Sequence, residues 1–424
     1  MGTLTRPDFR RFFIVHGVVA DNIGPPPGGS PAEASLREFF ANFADYASAA
    51  CYLAALLGCV YALFAIWVIR SFARSTGTAL PASFPPVTIL KPLHGTEPDL
   101  YAHLASFCRQ DYPAPVQIVF GVADAADSAV AIVRNLIADF PDRDLALVIS
   151  SRRHGANAKI SNLVNMQSAA RHEVLVISDS DIVVAGDYLK VVVAALRQRG
   201  VGLVTCLYRG DAAAGVWSRL AAAAIDYHFL PNVLVGLKLG LAEPCFGSTI
   251  AVTKATLAEF GGLQSAADQL ADDYALGSSV RRAGLKVAIP PLIVTHVCAE
   301  RSLRELLLHE IRWARTIRSV DSLGFAGLVI THAFPLALLG MALGGFTKAA
   351  IIVPAALACR YALQAELHRD FLTREHFFCL GPIRDLFSFT VFVASFLSRR
   401  LEWRGHHYEL AADNSLAYYG EGET

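Results

Sequence analysis

The stretch that decides the fold is Val174-Leu175-Val176-Ile177-Ser178-Asp179-Ser180-Asp181. Its first four residues are apolar and mostly β-branched, which predicts a buried central strand of a parallel sheet. Two carboxylates follow where this strand ends. Because ligands bind at the carboxyl ends of the strands in open α/β sheets, we expect Asp179 and Asp181 to face a binding site.

Strand-like and helix-like segments alternate on both sides of this stretch. Val116–Val122 and Leu145–Ile149 precede it as candidate strands, and Val201–Leu207 follows it. The segments between them read as helices of about ten residues, an order typical of βαβ units. The sequence therefore predicts an α/β fold with a Rossmann-like, mostly parallel sheet over residues 86–320.

The segment before this domain reads as a membrane anchor. Charged residues make up 17% of the chain, against about 25% in soluble domains. Ala49–Ile69 carries no charge and is long enough to span a bilayer. Arg70 and Arg74 follow it, which favours a cytoplasmic location for everything after the span. Residues 1–35, broken by Pro25-Pro26-Pro27, are predicted to be a disordered extension.

Residues 323–400 are predicted to form transmembrane or interfacial helices, followed by a cytoplasmic tail at 401–424. Leu323–Thr347 is uncharged and is the best second span, whereas Ala349–Ala365 is interrupted by Arg360. A third segment, ending at Leu397, includes Arg384 and Asp385, which are costly inside a membrane unless they are paired. We expect an even number of C-terminal crossings and a multi-pass protein of the inner membrane, with its catalytic domain in the cytoplasm.

The acidic triplet suggests metal chemistry. Two carboxylates one residue apart can hold a hard cation together with phosphate oxygens, and the cation can then neutralise a diphosphate leaving group. A second triplet, Asp142-Arg143-Asp144, precedes a strand and reads as a solvated turn. Asp179-Ser180-Asp181 is therefore a candidate metal site mainly because it follows a buried strand, and less because of its residue types.

Three further groups of residues each allow two interpretations. Asp124 follows a strand and could bind a nucleotide, or could cap the next helix in competition with Asp127. Asp272 and Asp273 begin a helix, where the helix dipole stabilises them, but one of them could be a general base. The third group comprises His309, Arg312 and Trp313, which share one helical face. These side chains could bind a diphosphate and a sugar, or the helix could lie on a lipid surface.

Charge and cysteine content exclude other classes. The formal net charge is +0, so nucleic acid is not an expected partner. The eight cysteines form no C-x-x-C pair. A zinc or redox motif is therefore not expected.

The order of these motifs resembles the ceramide glucosyltransferase group of GT-A glycosyltransferases, particularly bacterial members that include the hopanoid-biosynthesis glycosyltransferases. That group has a D, D, D, (Q/R)xxRW signature. The likeness spans about residues 86–320, and its first motif is Lys91-Pro92-Leu93. The matching positions are Asp124, Asp179-Ser180-Asp181, Asp273 and Arg312-Trp313.

The resemblance implies a role for each matching residue. Asp124, Lys159, Asp179 and Arg312 would bind the nucleotide-sugar, and Asp179 and Asp181 would hold Mg²⁺ or Mn²⁺. Asp273 would be the catalytic base, with Asp272, His309 and Trp313 in the active site on the acceptor side. His309 departs from the signature, which has Gln or Arg at that position.

The sequence thus predicts a metal-dependent, inverting transferase with a UDP-sugar donor and a membrane-lipid acceptor. The sugar would be glucose or N-acetylglucosamine, and the lipid a ceramide or a hopanoid. The nearest alternative is a processive polysaccharide synthase. A non-enzymatic alternative is a membrane transporter or scaffold with a degenerate domain.

Overall fold

The structure is a computed structural model that describes residues 31–75, 77, 79–371, 380–398, 400–403, 406–410 and 416–421. Most of the predicted disordered extension, residues 1–30, lies outside this range. The elements up to residue 320 are α1 Pro31–Ala73, β1 Val87–Pro92, α2 Leu100–Cys108, β2 Val116–Val122, α3 Ala129–Asp139, β3 Asp144–Ile149, α4 Ala158–Met166, β4 Val174–Ile177, β5 Ile182–Val183, α5 Tyr188–Leu196, β6 Val201–Thr205, β7 Leu207–Ala212, α6 Gly215–Ala224, α7 Leu230–Leu239, β8 Ile250–Thr253, α8 Lys254–Glu259, α9 Asp272–Arg282, β9 Lys286–Ala288, β10 Ile293–Cys298 and α10 Leu303–Val320.

The elements after residue 320 are α11 Ser322–Gly327, α12 Ala333–Gly344, α13 Phe346–Asp370, α14 Gly381–Ser395, β11 Arg400–Trp403, β12 His406–Leu410 and β13 Leu416–Glu421. A π-helical turn, Ile225–Phe229, joins α6 to α7. The strands β11 to β13 form an antiparallel sheet within the predicted C-terminal tail, whose residues 404, 405, 411–415 and 422–424 lie outside the described range.

The main sheet has the strand order β3-β2-β1-β4-β8-β6-β9 in the described part of the chain. Strands β1 to β4 are mutually parallel, as the alternating pattern predicts. Strand β8 runs antiparallel to both β4 and β6. Every residue of β1 and β4 is buried, and helices cover both faces of the sheet. The predicted α/β class with a mostly parallel sheet is confirmed.

A smaller sheet brings a second wall to the end of β4. Strand β5 begins directly after Asp181 and pairs with β10, so that His296 lies opposite Ile182. Strand β7 extends this sheet in parallel with β10. The predicted strand Val201–Leu207 is therefore divided between two sheets, because the chain leaves the main sheet at Cys206.

Three helices in the described residues are long and apolar enough to cross a membrane: Ser35–Ala73, Gly215–Leu239 and Phe346–Asp370. The predicted span Leu323–Thr347 is instead two helical segments, Ser322–Thr331 and Ala333–Gly344, bent by 71°. At the bend, Gly58 of α1 lets the backbone of Ile330 and Ala333 approach closely, and any added Cβ would clash with both. Pro335 fits the first turn of α12, where a missing N–H costs nothing.

Candidate active site

One cavity of about 1380 Å³ collects most of the predicted site residues. Its polar lining includes Asp179, Asp181 and Lys159, together with Asp272 and Asp273. Residues of α10 line the cavity as well, and the helical segment Ser322–Thr331 and α14 supply a largely apolar part of its lining. The predicted site residues that line this cavity are Lys159, Asp179, Asp181, Asp272, Asp273, His309, Arg312 and Trp313.

Lys159 connects two of the acidic positions. The side chain of Asn157 caps α4 by accepting from the N–H groups of Lys159 and Ile160, which places Lys159 in the first turn. The Lys159 Nζ atom lies 2.7 Å from Asp179 Oδ1 and 3.5 Å from Asp272 Oδ2. Burial opposes its charge, but these carboxylates raise the pKa of Lys159 above its usual value. The buried ammonium therefore stays charged and balances the acidic wall.

Asp181 is held by a residue that the sequence analysis did not identify. Its Oδ2 atom lies 3.2 Å from His296 Nε2 of β10. Burial opposes ionisation of Asp181, but His296 together with Lys91 and Lys159 outweighs burial and holds the pKa of this carboxyl below its usual range. Asp181 Oδ1 is buried and has no hydrogen-bond partner among the described residues. Such an oxygen fits a position that a cation would occupy.

Two further residues without a predicted role, one in β1 and one in the loop after it, contact the Asp179-Ser180-Asp181 triplet. Lys91 is buried, donates to the Asp179 carbonyl, and lies 3.9 Å from the centre of the Phe107 ring. Burial lowers the pKa of Lys91 to about 7. Glu97 accepts from Ser180 Oγ at 2.9 Å. Burial, with a contribution from Asp181, raises the pKa of Glu97 to about 7. The end of β4 is thus fixed by contacts distant in sequence.

Asp273 occupies the start of α9 beside the acidic triplet. Its Oδ2 atom accepts from the Gly247 N–H at 2.8 Å, and its Oδ1 atom accepts from the Tyr274 N–H at 2.8 Å. Burial and the neighbouring Asp272 raise the pKa of Asp273 to about 6. A carboxylate with a pKa just below neutrality suits a general base. Asp272 instead contacts Lys159 and the Asn157 side chain.

The helix α10 presents its three predicted residues to the cavity. His309 Nδ1 lies 2.5 Å from Glu300 Oε1. The His309 ring packs edge-to-face against Trp313, with ring centres 4.4 Å apart, and Trp313 packs in the same way against His296 at 5.8 Å. Arg312 lies in the cavity wall. In the structure, His309 therefore positions an aromatic wall through its pairing with Glu300.

Asp124 is not brought to this cavity. It is exposed, and its Oδ1 atom accepts from the Ala126 N–H at 2.9 Å in a local turn. Asp127 accepts from the N–H groups of Gly95 and Ala129. Only the neighbouring Ala123 lines the cavity among residues 123–127. A nucleotide role for Asp124 therefore stays a prediction.

No preformed cluster of three or more His, Cys, Asp or Glu residues able to hold a metal ion occurs in the part of the chain that the structure describes. Asp179 and Asp181, the latter with its unpartnered buried oxygen, nevertheless form an acidic pair that lines the cavity. Hard cations accept such a pair when other oxygens complete their coordination.

Two kinds of known protein resemble the chain. It is 27% identical over 244 residues to Ceramide glucosyltransferase 1 of Caenorhabditis elegans, covering 56% of this chain and 52% of that protein. It is 24% identical over 383 residues to Ceramide glucosyltransferase 3 of the same organism, covering 85% and 81%. The match thus spans about half the length of the first relative. The solved mannosyltransferase of Pyrobaculum calidifontis, in complex with GDP-Man and Mn²⁺, shares the fold with a TM-score of 0.51 at 20% identity, covering 84% of this chain and 98% of that chain.

The family model that matches is that of glycosyl transferase family 21, over residues 50–416. The match includes the main sheet, the cavity and the apolar helices. The predicted resemblance to ceramide glucosyltransferases is confirmed by the relatives. The chain therefore belongs to glycosyl transferase family 21.

Proposed function

We propose that this glycosyltransferase moves a sugar from a UDP-sugar to the hydroxyl of a membrane lipid, with inversion at the anomeric carbon. One observation carries the proposal. A single cavity joins the acidic pair Asp179 and Asp181 to the carboxylate of Asp273, and it continues to apolar side chains of the segment Ser322–Thr331 and of α14. Such a cavity can hold a charged nucleotide at one end and a lipid at the other.

The donor would bind at the end of β4. A bound divalent cation, Mg²⁺ or Mn²⁺, would be held by Asp179 and Asp181 and would neutralise charge on the diphosphate. The mannosyltransferase that shares the fold is described with Mn²⁺ and GDP-Man. Lys159, beside Asp179, would contact a phosphate oxygen, and Arg312, which also lines the cavity, would bind the diphosphate bidentately.

The acceptor would bind between Asp273 and α10. Asp273 takes the proton of the attacking hydroxyl, while its two backbone hydrogen bonds hold the carboxylate in one orientation. Trp313 offers an aromatic face for a sugar or for the lipid portion next to the hydroxyl. Direct attack from the side opposite the departing UDP inverts the anomeric configuration.

The three apolar helices support a membrane protein. Exposed apolar side chains on the C-terminal helices include Leu323, Phe346 and Ile351, which is typical of a lipid-facing surface. Arg70 and Arg74 at the end of α1 favour a cytoplasmic catalytic domain in the inner membrane. An acceptor drawn from the bilayer would then reach the cavity past α11 and α12.

The substrate pair is tested with purified protein in lipid nanodiscs. UDP-glucose and UDP-N-acetylglucosamine are each combined with a ceramide and with a bacteriohopanepolyol, and products are identified by mass spectrometry. We expect one glycosyl unit on a lipid in at least one combination. Chains of several sugars would favour the processive synthase. Failure of all four combinations would contradict the proposed substrate pair.

The pH dependence follows from the raised pKa of Asp273. The carboxylate must be ionised to accept a proton, so kcat/KM is expected to fall about tenfold per pH unit below about pH 6. Above this pH, kcat/KM is expected to become independent of the ionisation of Asp273. Asp272→Asn removes one cause of the raised pKa of Asp273, so the fall in kcat/KM is expected to occur at lower pH in this variant. A fall at the same pH as in the wild type would contradict the assignment of Asp273 as the base.

Gly247→Ala is expected to weaken donor binding. A Cβ at this position would lie 2.7 Å from Asp179 Oδ2 and 2.8 Å from Lys159 Nζ. Both groups must shift to accommodate the methyl group, and overpacking of this kind corresponds to a rise of about 10-fold or more in the KM for UDP-sugar. Gly186→Ala is the control, because its nearest contact would be Arg109 O at 3.9 Å. Equal KM values for the two variants would contradict a donor site beside Gly247.

A further inference from the structure

Arg384 of α14 is fully buried, and its guanidinium is saturated with acceptors. Its NH1 and NH2 atoms each lie 2.6 Å from an oxygen of Glu310, on α10. NH1 also donates to the Leu220 carbonyl of α6, and Nε and NH2 donate to Ser388 Oγ. All five N–H groups of this side chain can be satisfied by these contacts.

Glu310 lies within the part of α10 that lines the cavity. It follows His309 directly and precedes Arg312 by two residues. A bidentate contact between two planar groups fixes direction as well as distance. The contact from Arg384 therefore restricts rotation and sliding of α10, and with them the positions of Arg312 and Trp313.

The residue next to Arg384 makes a second connection of the same kind. Asp385 Oδ1 lies 2.7 Å from Arg360 NH2 of α13 and 3.1 Å from His228 Nε2 of the π-helical turn. Arg360 also donates to the Tyr227 carbonyl at 2.9 Å. Two adjacent residues of α14 thus join the helix bearing the site to an apolar helix of the membrane region.

Stability alone does not account for a buried Arg–Glu pair. Replacing both partners of such a pair by apolar residues often leaves the free energy of unfolding unchanged or raises it, because the desolvation penalty of two buried charges is about as large as their attraction. The Arg384–Glu310 contact instead specifies one arrangement of α10 relative to α14. A positioning role explains why charged groups are retained in an apolar environment.

We propose that Arg384 is a positioning residue for the transfer reaction: through Glu310 it holds α10, and thereby Arg312 and Trp313, in the reactive alignment. The inference rests on the proposed function. Donor contacts on the sheet side, at Asp179 and Lys159, do not involve α14. Loss of the Arg384–Glu310 contact should therefore slow transfer much more than it weakens donor binding, to which Arg312 is the one contributor from α10.

The test replaces both partners, with Glu310→Leu and Arg384→Met in one full-length protein. We expect kcat for transfer to fall about 100-fold, since small misplacements of reacting groups have effects of this size. The KM for UDP-sugar and the affinity for UDP are expected to weaken by no more than about tenfold, because Arg312 shifts while Lys159 and Asp179 keep their positions, and the melting temperature is expected to stay the same or rise. The matched control is Arg70→Met with Glu366→Leu, a bidentate pair between α1 and α13 without contact to α10; its kcat should match the wild type.

Each outcome decides the proposal. A wild-type kcat in the Glu310–Arg384 double variant would overturn the positioning role. Equal losses of kcat, donor affinity and melting temperature would also overturn it, because they would indicate a structural role alone. If the double variant does not fold, Arg384→Lys takes its place, because lysine keeps the charge but not the two-point contact. A fall in kcat that is much larger than the rise in donor KM supports the proposal, and an unchanged kcat overturns it. Absence of transfer by the wild type would contradict the proposed function instead.

Discussion

Asp273→Asn is expected to lower kcat of glycosyl transfer by about 1,000-fold, within the range that general-base catalysis contributes. The amide keeps the size of the carboxylate and can still accept from the Gly247 N–H, but it cannot take the acceptor proton. Donor binding should be retained because the contacts between Lys159 and Asp179 remain. Steady-state kinetics with separate variation of donor and acceptor would measure this change.

The matched control for Asp273→Asn is Asp187→Asn. Asp187 is also an aspartate at the start of a helix, but it is exposed and makes no capping hydrogen bond. This control should transfer at the wild-type rate. If Asp273→Asn kept more than about a tenth of wild-type kcat at all pH values, another group would have to be the base.

Asp181→Asn is expected to produce the second large loss. A cation that neutralises a departing diphosphate contributes several kcal/mol, so weakening its site should reduce the rate about 100-fold or more. The variant should also need higher Mn²⁺ concentrations for half-maximal activity, because a neutral amide is a weaker ligand for a hard cation. Initial rates measured against Mn²⁺ at fixed UDP-sugar would show both effects.

The second D-x-D triplet supplies the control for Asp181→Asn. Asp142 is exposed and lies in the turn that precedes β3. Asp142→Asn should leave both the rate and the Mn²⁺ dependence unchanged. A Mn²⁺ titration of Asp181→Asn that coincides with the wild type would exclude Asp181 as a cation ligand.

Local sequence patterns were sufficient for the parallel half of the sheet. The range Val116–Val122 was predicted without error, and the strand before Asp179 ends within one residue of its prediction. These strands have continuous apolar runs, because both faces are covered by helices. The family match and the shared fold confirm the predicted α/β class and family.

The partners of the site residues could not be predicted, because they come from distant parts of the chain. His296 reaches Asp181 only because β10 pairs with β5. Glu97 and Lys91 reach the acidic triplet because β1 lies beside β4. Strand direction is not encoded in a four-residue apolar run, so the antiparallel β8 gave no local signal.

The C-terminal region shows a similar limit. An uncharged run at Leu323–Thr347 predicts one span, whereas the chain bends where Gly58 admits the backbone of α12. The charges of Arg384 and Asp385 argued against a simple span, and pairing with Glu310 and Arg360 resolves that conflict. A hydropathy profile detects long apolar segments, but it does not show which buried charged residues form ion pairs.

The most direct test of the proposed chemistry is the anomeric configuration of the product. The wild-type protein is given α-configured UDP-glucose and a lipid acceptor, and the purified glycolipid is examined by proton NMR. Direct attack assisted by Asp273 predicts a β-linked sugar. An α-linked product would contradict the single inverting displacement, and with it the role assigned to Asp273.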